Sequence, residues 1–202
     1  MKRDGPLKPI RVAYADPPYL GMASRYSKPG TPEYHPDAAK WDTIEAHADL
    51  LASLDRDYPD GWAYSLHSGS LSSILPLVPS GARIMAWVKP WVSFKPGVRV
   101  AWAWEPLIVR VCPKHRGEAR GRSVRDWCAV PALTGSGFFG AKPREFLRWV
   151  FEVFALGEHP DDEFVDLFPG SGAVTRAWHE FKASAVTSRS GERQGALFEE
   201  SA

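Results

Sequence analysis

The chain has 202 residues, a formal net charge of +1, two cysteines and an apolar content of 44%. These values exclude an intrinsically disordered chain and a disulfide-rich miniprotein, and no apolar run approaches membrane-spanning length. One domain with its own core fits this length, and with so few cysteines and no signal peptide we expect a reducing cytoplasm.

The first recognisable element is an apolar run from Ile10 to Ala15, which predicts a buried strand ending directly before Asp16-Pro17-Pro18-Tyr19. Open α/β sheets bind ligands beyond the carboxyl ends of their strands, so Asp16 is a candidate site residue. Its carboxylate and the Pro17 carbonyl can accept hydrogen bonds from an exocyclic amine. Tyr19 offers a flat ring on which a base can stack.

Residues 20–41 are rich in Gly, Pro, Ser and Tyr and predict a long loop beside this site. Its side chains Arg25, Tyr26, Lys28 and Tyr34 could cover an extruded base or contact phosphates. An ordinary surface loop is the alternative for each of them.

The next segment predicts a helix, a strand, a short helix and two further strands. The first helix should begin at Asp42 as N-cap, with Glu45 completing a capping box. The others are expected at Trp62–Leu66, Ser70–Leu77, Arg83–Val88 and Val100–Val111. The last two strands should be antiparallel neighbours. His67, after the second strand, either contacts substrate or is structural.

Residues 112–126 form the most basic stretch of the chain, with Lys114, Arg116, Arg120, Arg122 and Arg125. These groups could neutralise phosphates, or the stretch could be a solvated loop. Cys112, His115 and Cys128 have no evident fourth zinc ligand, so we predict no metal site.

The remaining part of the chain predicts a ligand-binding turn. Lys142-Pro143 opens an apolar-faced helix that closes at Gly157, and Glu163–Phe168 is a strand running into Pro169-Gly170-Ser171-Gly172. A helix over 173–182 and a short strand over 183–187 should follow. Such a turn directs backbone N–H groups and a positive helix end toward an anionic ligand, which could be a phosphate or a carboxylate.

Three motifs occur in one order: Asp-Pro-Pro-Tyr at 16–19, Lys-Pro at 142–143 and Asp-Leu-Phe-Pro-Gly-Ser-Gly at 166–172. This order resembles the circularly permuted, beta-class-like DNA adenine-N6 amino-methyltransferases that use S-adenosylmethionine, including small bacteriophage forms. The resemblance covers roughly residues 10–187. It implies an α/β fold, a Rossmann-like class I methyltransferase sheet that is mostly parallel with an antiparallel edge hairpin, and that could be one strand short.

The resemblance also implies one methyltransferase domain over 1–202, with a catalytic half at 10–111, a target-recognition segment at 112–140 and a cofactor half at 141–190. Catalytic roles would fall to Asp16, Pro17, Pro18 and Tyr19. S-adenosylmethionine would be bound by Ala15, Lys142, Pro143, Asp166, Phe168, Pro169, Gly170, Ser171 and Gly172. DNA would be bound by Arg25, Tyr26, Lys28, Lys114, Arg116, Arg120 and Arg122. We expect a monomer or homodimer in the cytoplasm of a bacterium or phage-infected cell.

Two departures from the family and two alternatives stay open. The chain ends too soon for a clear further strand, which is why the sheet could be one strand short. An acidic residue often grips the cofactor ribose after the next strand, where this chain has Thr187-Ser188-Arg189, and Glu192 is the next acid. RNA or cytosine-N4 could be the methylated group. A catalytically inactive nucleic-acid-binding module with the same fold would also fit the missing acid.

Overall fold

The structure is a computed structural model, and it describes residues 7–26, 28–30, 34–92, 94, 96–111, 123–133 and 141–185. Within these ranges six strands form one mixed sheet in the order β5-β3-β4-β2-β1-β6. The strands are β1 (Arg11–Ala15), β2 (Gly61–Ser65), β3 (Arg83–Val88), β4 (Trp104–Val111), β5 (Trp127–Ala129) and β6 (Glu163–Asp166).

Strand β1 lies between β2 and β6 and is parallel to both. Tyr14 is the register partner of Asp166, and the Leu167 N–H donates to the Tyr14 carbonyl at 2.9 Å. Because parallel strands end at the same edge of a sheet, the segments that follow β1 and β6 begin side by side.

The predicted antiparallel pairing of β3 with β4 is confirmed. Its predicted place at the edge of the sheet needs correction, because β5 pairs in parallel with β3 and takes the outermost position. Strand β5 lies inside the segment expected to be a basic recognition loop. A strand of three residues is too short to show the alternation of apolar and polar residues from which a strand is predicted.

The helices that the structure describes are α1 (Ala23–Tyr26), α2 (Ala38–Trp41), α3 (Ile44–Asp57), α4 (Leu71–Ile74), α5 (Arg144–Val153) and α6 (residues 173–185). Short 3₁₀ turns at Ser68–Ser70 and Leu75–Leu77 flank α4, so the predicted helix over 70–77 is less regular than expected. None of the helices in these ranges has both the length and the apolar character needed to cross a bilayer.

Several boundaries differ from the prediction. Strand β4 begins at Trp104 and not at Val100, and β6 ends at Asp166 and not at Phe168. Thr43, and not Asp42, caps α3, since its side chain accepts from the Ala46 N–H at 3.4 Å. Pro143 is the extended N-cap of α5 and not its first helical residue. The strand predicted over 183–187 is wrong as far as residue 185, which still belongs to α6, and its last two residues lie outside the described ranges.

Two apolar clusters cover the two faces of the sheet. Alternate residues of β1 point to opposite faces, so Val12 and Tyr14 join one cluster while Ala13 and Ala15 join the other. The predicted apolar face of α5 is buried in the first cluster, and Leu51 and Leu54 of α3 are buried in the second. The fold is therefore a sheet with helices on both faces, so a site is expected at the ends of the strands.

Asp162 ties the starts of β1 and β6 together and is fully buried. One carboxylate oxygen accepts from the Ile10 N–H and the other from the His159 N–H, each at 3.1 Å. We expect Asp162→Ala to lower the free energy of unfolding by about 1–3 kcal/mol, because two backbone donors lose their acceptor. Chemical denaturation measures this change.

Asp161→Ala is the matched control, since the neighbouring side chain is 79% exposed. We expect it to change the free energy of unfolding by less than about 0.5 kcal/mol. Equal losses in the two variants would contradict the assigned role of Asp162.

Candidate active site

Segments that adjoin five strands meet at one end of the sheet, where the parallel strands have their carboxyl ends. Asp16 follows β1, His67 follows β2, Lys89 follows β3 and the glycine turn 169–172 follows β6. Strand β4 runs the other way, so Glu105 near its start lies at the same edge, as the register partner of Trp87. Titratable side chains from distant parts of the chain are thereby brought together.

Asp16 is held through one oxygen. Its Oδ1 accepts from the Lys142 ammonium at 3.0 Å and from the Tyr19 hydroxyl at 3.1 Å. Lys142 Nζ also donates to the Tyr19 hydroxyl oxygen at 2.8 Å. The Lys142 side chain is only 3% exposed, and that of Asp16 is 21% exposed. Asp16 is thus more accessible than Lys142.

Glu105 closes the other side of the same cluster. Its Oε2 lies 3.2 Å from the Tyr19 hydroxyl and 3.5 Å from Lys142 Nζ. Its Oε1 accepts from the Lys89 ammonium. Lys89 in turn lies over the Trp87 ring, 4.7 Å from its centroid. Two carboxylates and two ammonium groups therefore balance in charge within a largely enclosed space.

The environment shifts the pKa values of these groups in different directions. Burial raises the pKa of Asp16, and Glu105 raises it further, while Lys142 opposes both effects. Burial also works against the charge on Glu105, but Lys142 and Lys89 outweigh it and lower the pKa of that carboxyl. Burial disfavours the ammonium of Lys142, yet the adjacent carboxylates raise its pKa well above the usual value. Lys142 is consequently a permanent cation here.

Aromatic rings line the outer side of the cluster. The His67 ring lies 4.6 Å from that of Trp102 and 6.4 Å from that of Tyr19, measured between centroids. His67 Nδ1 accepts from the Gly69 N–H at 3.0 Å, and burial lowers the pKa of His67. The rings of Tyr19, His67 and Trp102 form an aromatic surface suited to a flat ligand.

The segment after β6 forms a shaped turn. Asp166 accepts from the Phe168 N–H at 3.2 Å and from the Thr175 hydroxyl at 3.4 Å, which ties the strand end to α6. Gly170 and Gly172 have φ angles of 45° and 71°, in the left-handed region. A Cβ at Gly170 would meet only the Phe168 carbonyl, at 3.8 Å. Open space therefore borders the backbone at Gly170, whereas a Cβ at Gly172 would lie 3.2 Å from Nη1 of Arg176.

The other predicted site residues fall into three groups. Ala15, Pro17, Pro18 and Pro143 are buried, Ser171 is half-buried and Pro169 is exposed beside the glycine turn. Arg25 and Tyr26 are half-buried and Lys28 is exposed. Burial raises the pKa of Tyr26, and the charge of Asp16 raises it further. Lys114, Arg116, Arg120, Arg122 and the segment from Thr187 to Glu192 lie outside the described residues.

The chain matches no protein-family model and no curated protein. Among solved structures it is similar to the crystal structure of the M1.HpyAVI–SAM complex, with a TM-score of 0.51 and 15% sequence identity. The match covers 86% of this chain and 79% of that chain. The chain has a Rossmann-like methyltransferase fold.

Sequence reasoning missed the role of two residues in this methyltransferase fold. Glu105 stands in the otherwise mostly apolar strand β4, and Lys89 stands directly after β3. An acidic side chain early in an apolar strand is a signal that could have been used, because it needs a buried partner. The cofactor role of Lys142 stays a prediction, and it concerns the backbone around Lys142-Pro143. The Lys142 ammonium lies against Asp16 and Glu105. In the described ranges no cluster of three metal-ligating side chains occurs.

Proposed function

We propose that this chain transfers a methyl group from S-adenosylmethionine to the exocyclic N6 of adenine in DNA. One observation carries the proposal. The Asp16-Pro17-Pro18-Tyr19 segment and the glycine turn 169–172 leave adjacent parallel strands at the same edge, with Tyr14 and Asp166 paired in register. A methyl acceptor held by the first segment would face a donor held by the second.

The glycine turn fits the donor. Open space beside Gly170 would admit a ligand close to the backbone, and the positive end of α6, which begins at residue 173, would favour the donor's carboxylate there. When bound, S-adenosylmethionine would supply the methyl group of its sulfonium, and the sulfur would leave as a neutral thioether. M1.HpyAVI, the similar structure, is a complex with SAM, and this supports the choice of donor.

Asp16 and Pro17 orient the acceptor. The Asp16 carboxylate and the Pro17 carbonyl would each accept an N–H of the amine, which holds its nitrogen toward tetrahedral geometry and exposes the lone pair. Tyr19 would fix the plane of the base. Most of the rate would come from positioning the two reactants. The methylated nitrogen, cationic after the transfer, would lose one N–H proton to solvent water. Taking the base out of a duplex costs a few kcal/mol.

Several features support adenine as the target base, DNA as the substrate and the permuted class of enzyme. An Asp as the first motif residue favours adenine by family analogy. Arg25, Lys28 and the basic stretch around 114–122 could contact DNA phosphates. The acceptor motif precedes the glycine turn in the chain, as in the permuted class of enzymes.

The test offers isotopically labelled S-adenosylmethionine with duplex DNA, single-stranded DNA and RNA, and then identifies the methylated nucleoside by mass spectrometry. We expect N6-methyladenine from DNA. N4-methylcytosine, or label in RNA alone, would replace the proposed substrate. Calorimetric titration with S-adenosylmethionine is run in parallel, and absence of both binding and transfer would favour the inactive nucleic-acid-binding module.

A further inference from the structure

We infer that Glu105 and Lys142 are positioning residues that hold Oδ1 of Asp16 and thereby present its Oδ2 to the exocyclic amine of the target base. The inference rests on the proposed function, because it assigns Asp16 the amine as its ligand. It adds two residues from other segments of the chain to the acceptor side of the site.

The two oxygens of Asp16 are not equivalent. Oδ1 has two donors, Lys142 Nζ at 3.0 Å and the Tyr19 hydroxyl at 3.1 Å. Among the described residues no hydrogen bond to Oδ2 is found, and the one buried side-chain oxygen or nitrogen without a partner is Ser68 Oγ. Oδ2 is therefore not a buried orphan. It is the oxygen that remains to accept an N–H.

Glu105 prevents the Lys142 ammonium from turning away from Asp16. Lys142 Nζ has three oxygen neighbours: Asp16 Oδ1, the Tyr19 hydroxyl and Glu105 Oε2, the last at 3.5 Å. An ammonium has three donors, so each can be directed to one of these oxygens. Lys89 fixes Glu105 from its other oxygen. Asp16 is thus one corner of a network whose other members are anchored on separate elements.

The charges of the network also keep Asp16 an acceptor. A protonated Asp16 would donate to its neighbours instead of accepting from an amine. The Lys142 cation favours the ionised form, while burial and the Glu105 charge oppose it. The titratable groups that interact electrostatically with Asp16 are Tyr14, Tyr19, Tyr26, Tyr64, Glu105, Lys142 and Asp166. Of these, Lys142 is the one cation, so replacing it with a neutral residue should raise the pKa of Asp16.

The test compares Lys142→Met and Glu105→Gln in methyl transfer over a range of pH. We expect kcat to fall by about 10- to 100-fold in both variants, because the carboxylate loses its orientation. We expect KM for DNA and the Kd for S-adenosylmethionine to change by less than about threefold. The acid limb of the kcat profile should move to higher pH in Lys142→Met, which loses a cation beside Asp16. It should move to lower pH in Glu105→Gln, which loses an anion.

Glu152→Gln is the matched control, since it removes the surface ion pair with Arg148, 2.9 Å long, on α5. It should leave kcat and the pH profile unchanged. Opposite shifts in the two network variants would not arise from a loss of structure alone. Unchanged kcat, or shifts of the same sign in both variants, would overturn the inference.

Titration of the Asp16 carboxyl by ¹³C NMR provides a readout that does not need activity. The pKa of Asp16 should rise in Lys142→Met and fall in Glu105→Gln, and an unmoved pKa overturns the inference. If the wild-type chain methylates no nucleic acid while these shifts occur, the proposed function fails and the network around Asp16 stands.

Discussion

Asp16→Ala is expected to reduce methyl transfer by at least about 100-fold, because the amine loses the carboxylate that orients its lone pair. The affinity for S-adenosylmethionine should change by less than about threefold, since the proposed donor site follows β6 and not β1. Incorporation of labelled methyl into DNA measures the first quantity, and calorimetric titration measures the second.

Asp16→Asn provides the graded control. An amide keeps the shape and one acceptor oxygen but loses the charge that binds Lys142. We expect an activity between those of the wild type and Asp16→Ala. Full methylation by Asp16→Ala would remove Asp16 from the site and leave the proposed mechanism without its acceptor group.

Gly170→Val is expected to weaken S-adenosylmethionine binding by at least about 30-fold. A branched side chain there would enter the open space beside the turn, and the left-handed φ of 45° adds strain of about 1–2 kcal/mol. Calorimetric titration of the purified variant measures the affinity. Thermal unfolding of the same sample separates lost binding from a lost fold.

Gly81→Val is the matched control for backbone strain. Gly81 has a φ of 88° and open space around it, but it precedes β3 and so lies at the opposite edge of the sheet. A comparable loss of stability with unchanged affinity is expected. If both variants lose affinity equally, or neither does, the glycine turn after β6 is not the donor site.

The local sequence was enough to predict the main elements. The apolar run before Asp16 became β1, the apolar face of α5 is buried, and the antiparallel pairing of β3 with β4 is found. These features depend on periodicity and on turn residues, which act over a few positions of the chain. Boundaries were less accurate, as the cap of α3 at Thr43 demonstrates, because neighbouring residues compete for the same role.

Strand β5 and the run of α6 through residues 183–185 were not predicted. A strand of three residues is stabilised by its neighbour and by the sheet, not by its own pattern. Similarly, Gly157 packs closely against α6, since a Cβ there would lie 3.2 Å from both Phe181 and Ala185. Such tertiary contacts are not visible in the local sequence from which the last strand was predicted.

By itself the sequence determined which residues can do chemistry at the two strand ends, because Asp16-Pro17-Pro18-Tyr19 and the glycine turn are continuous segments. Only the tertiary structure decided that Lys142 and Glu105 lie near Asp16 and that Lys89 pairs with Glu105. These residues come from three separate elements, and the balance of two carboxylates with two ammonium groups exists only when the sheet brings them within a few ångströms. Electrostatic interactions depend on distance in space, whereas sequence patterns record only distance along the chain.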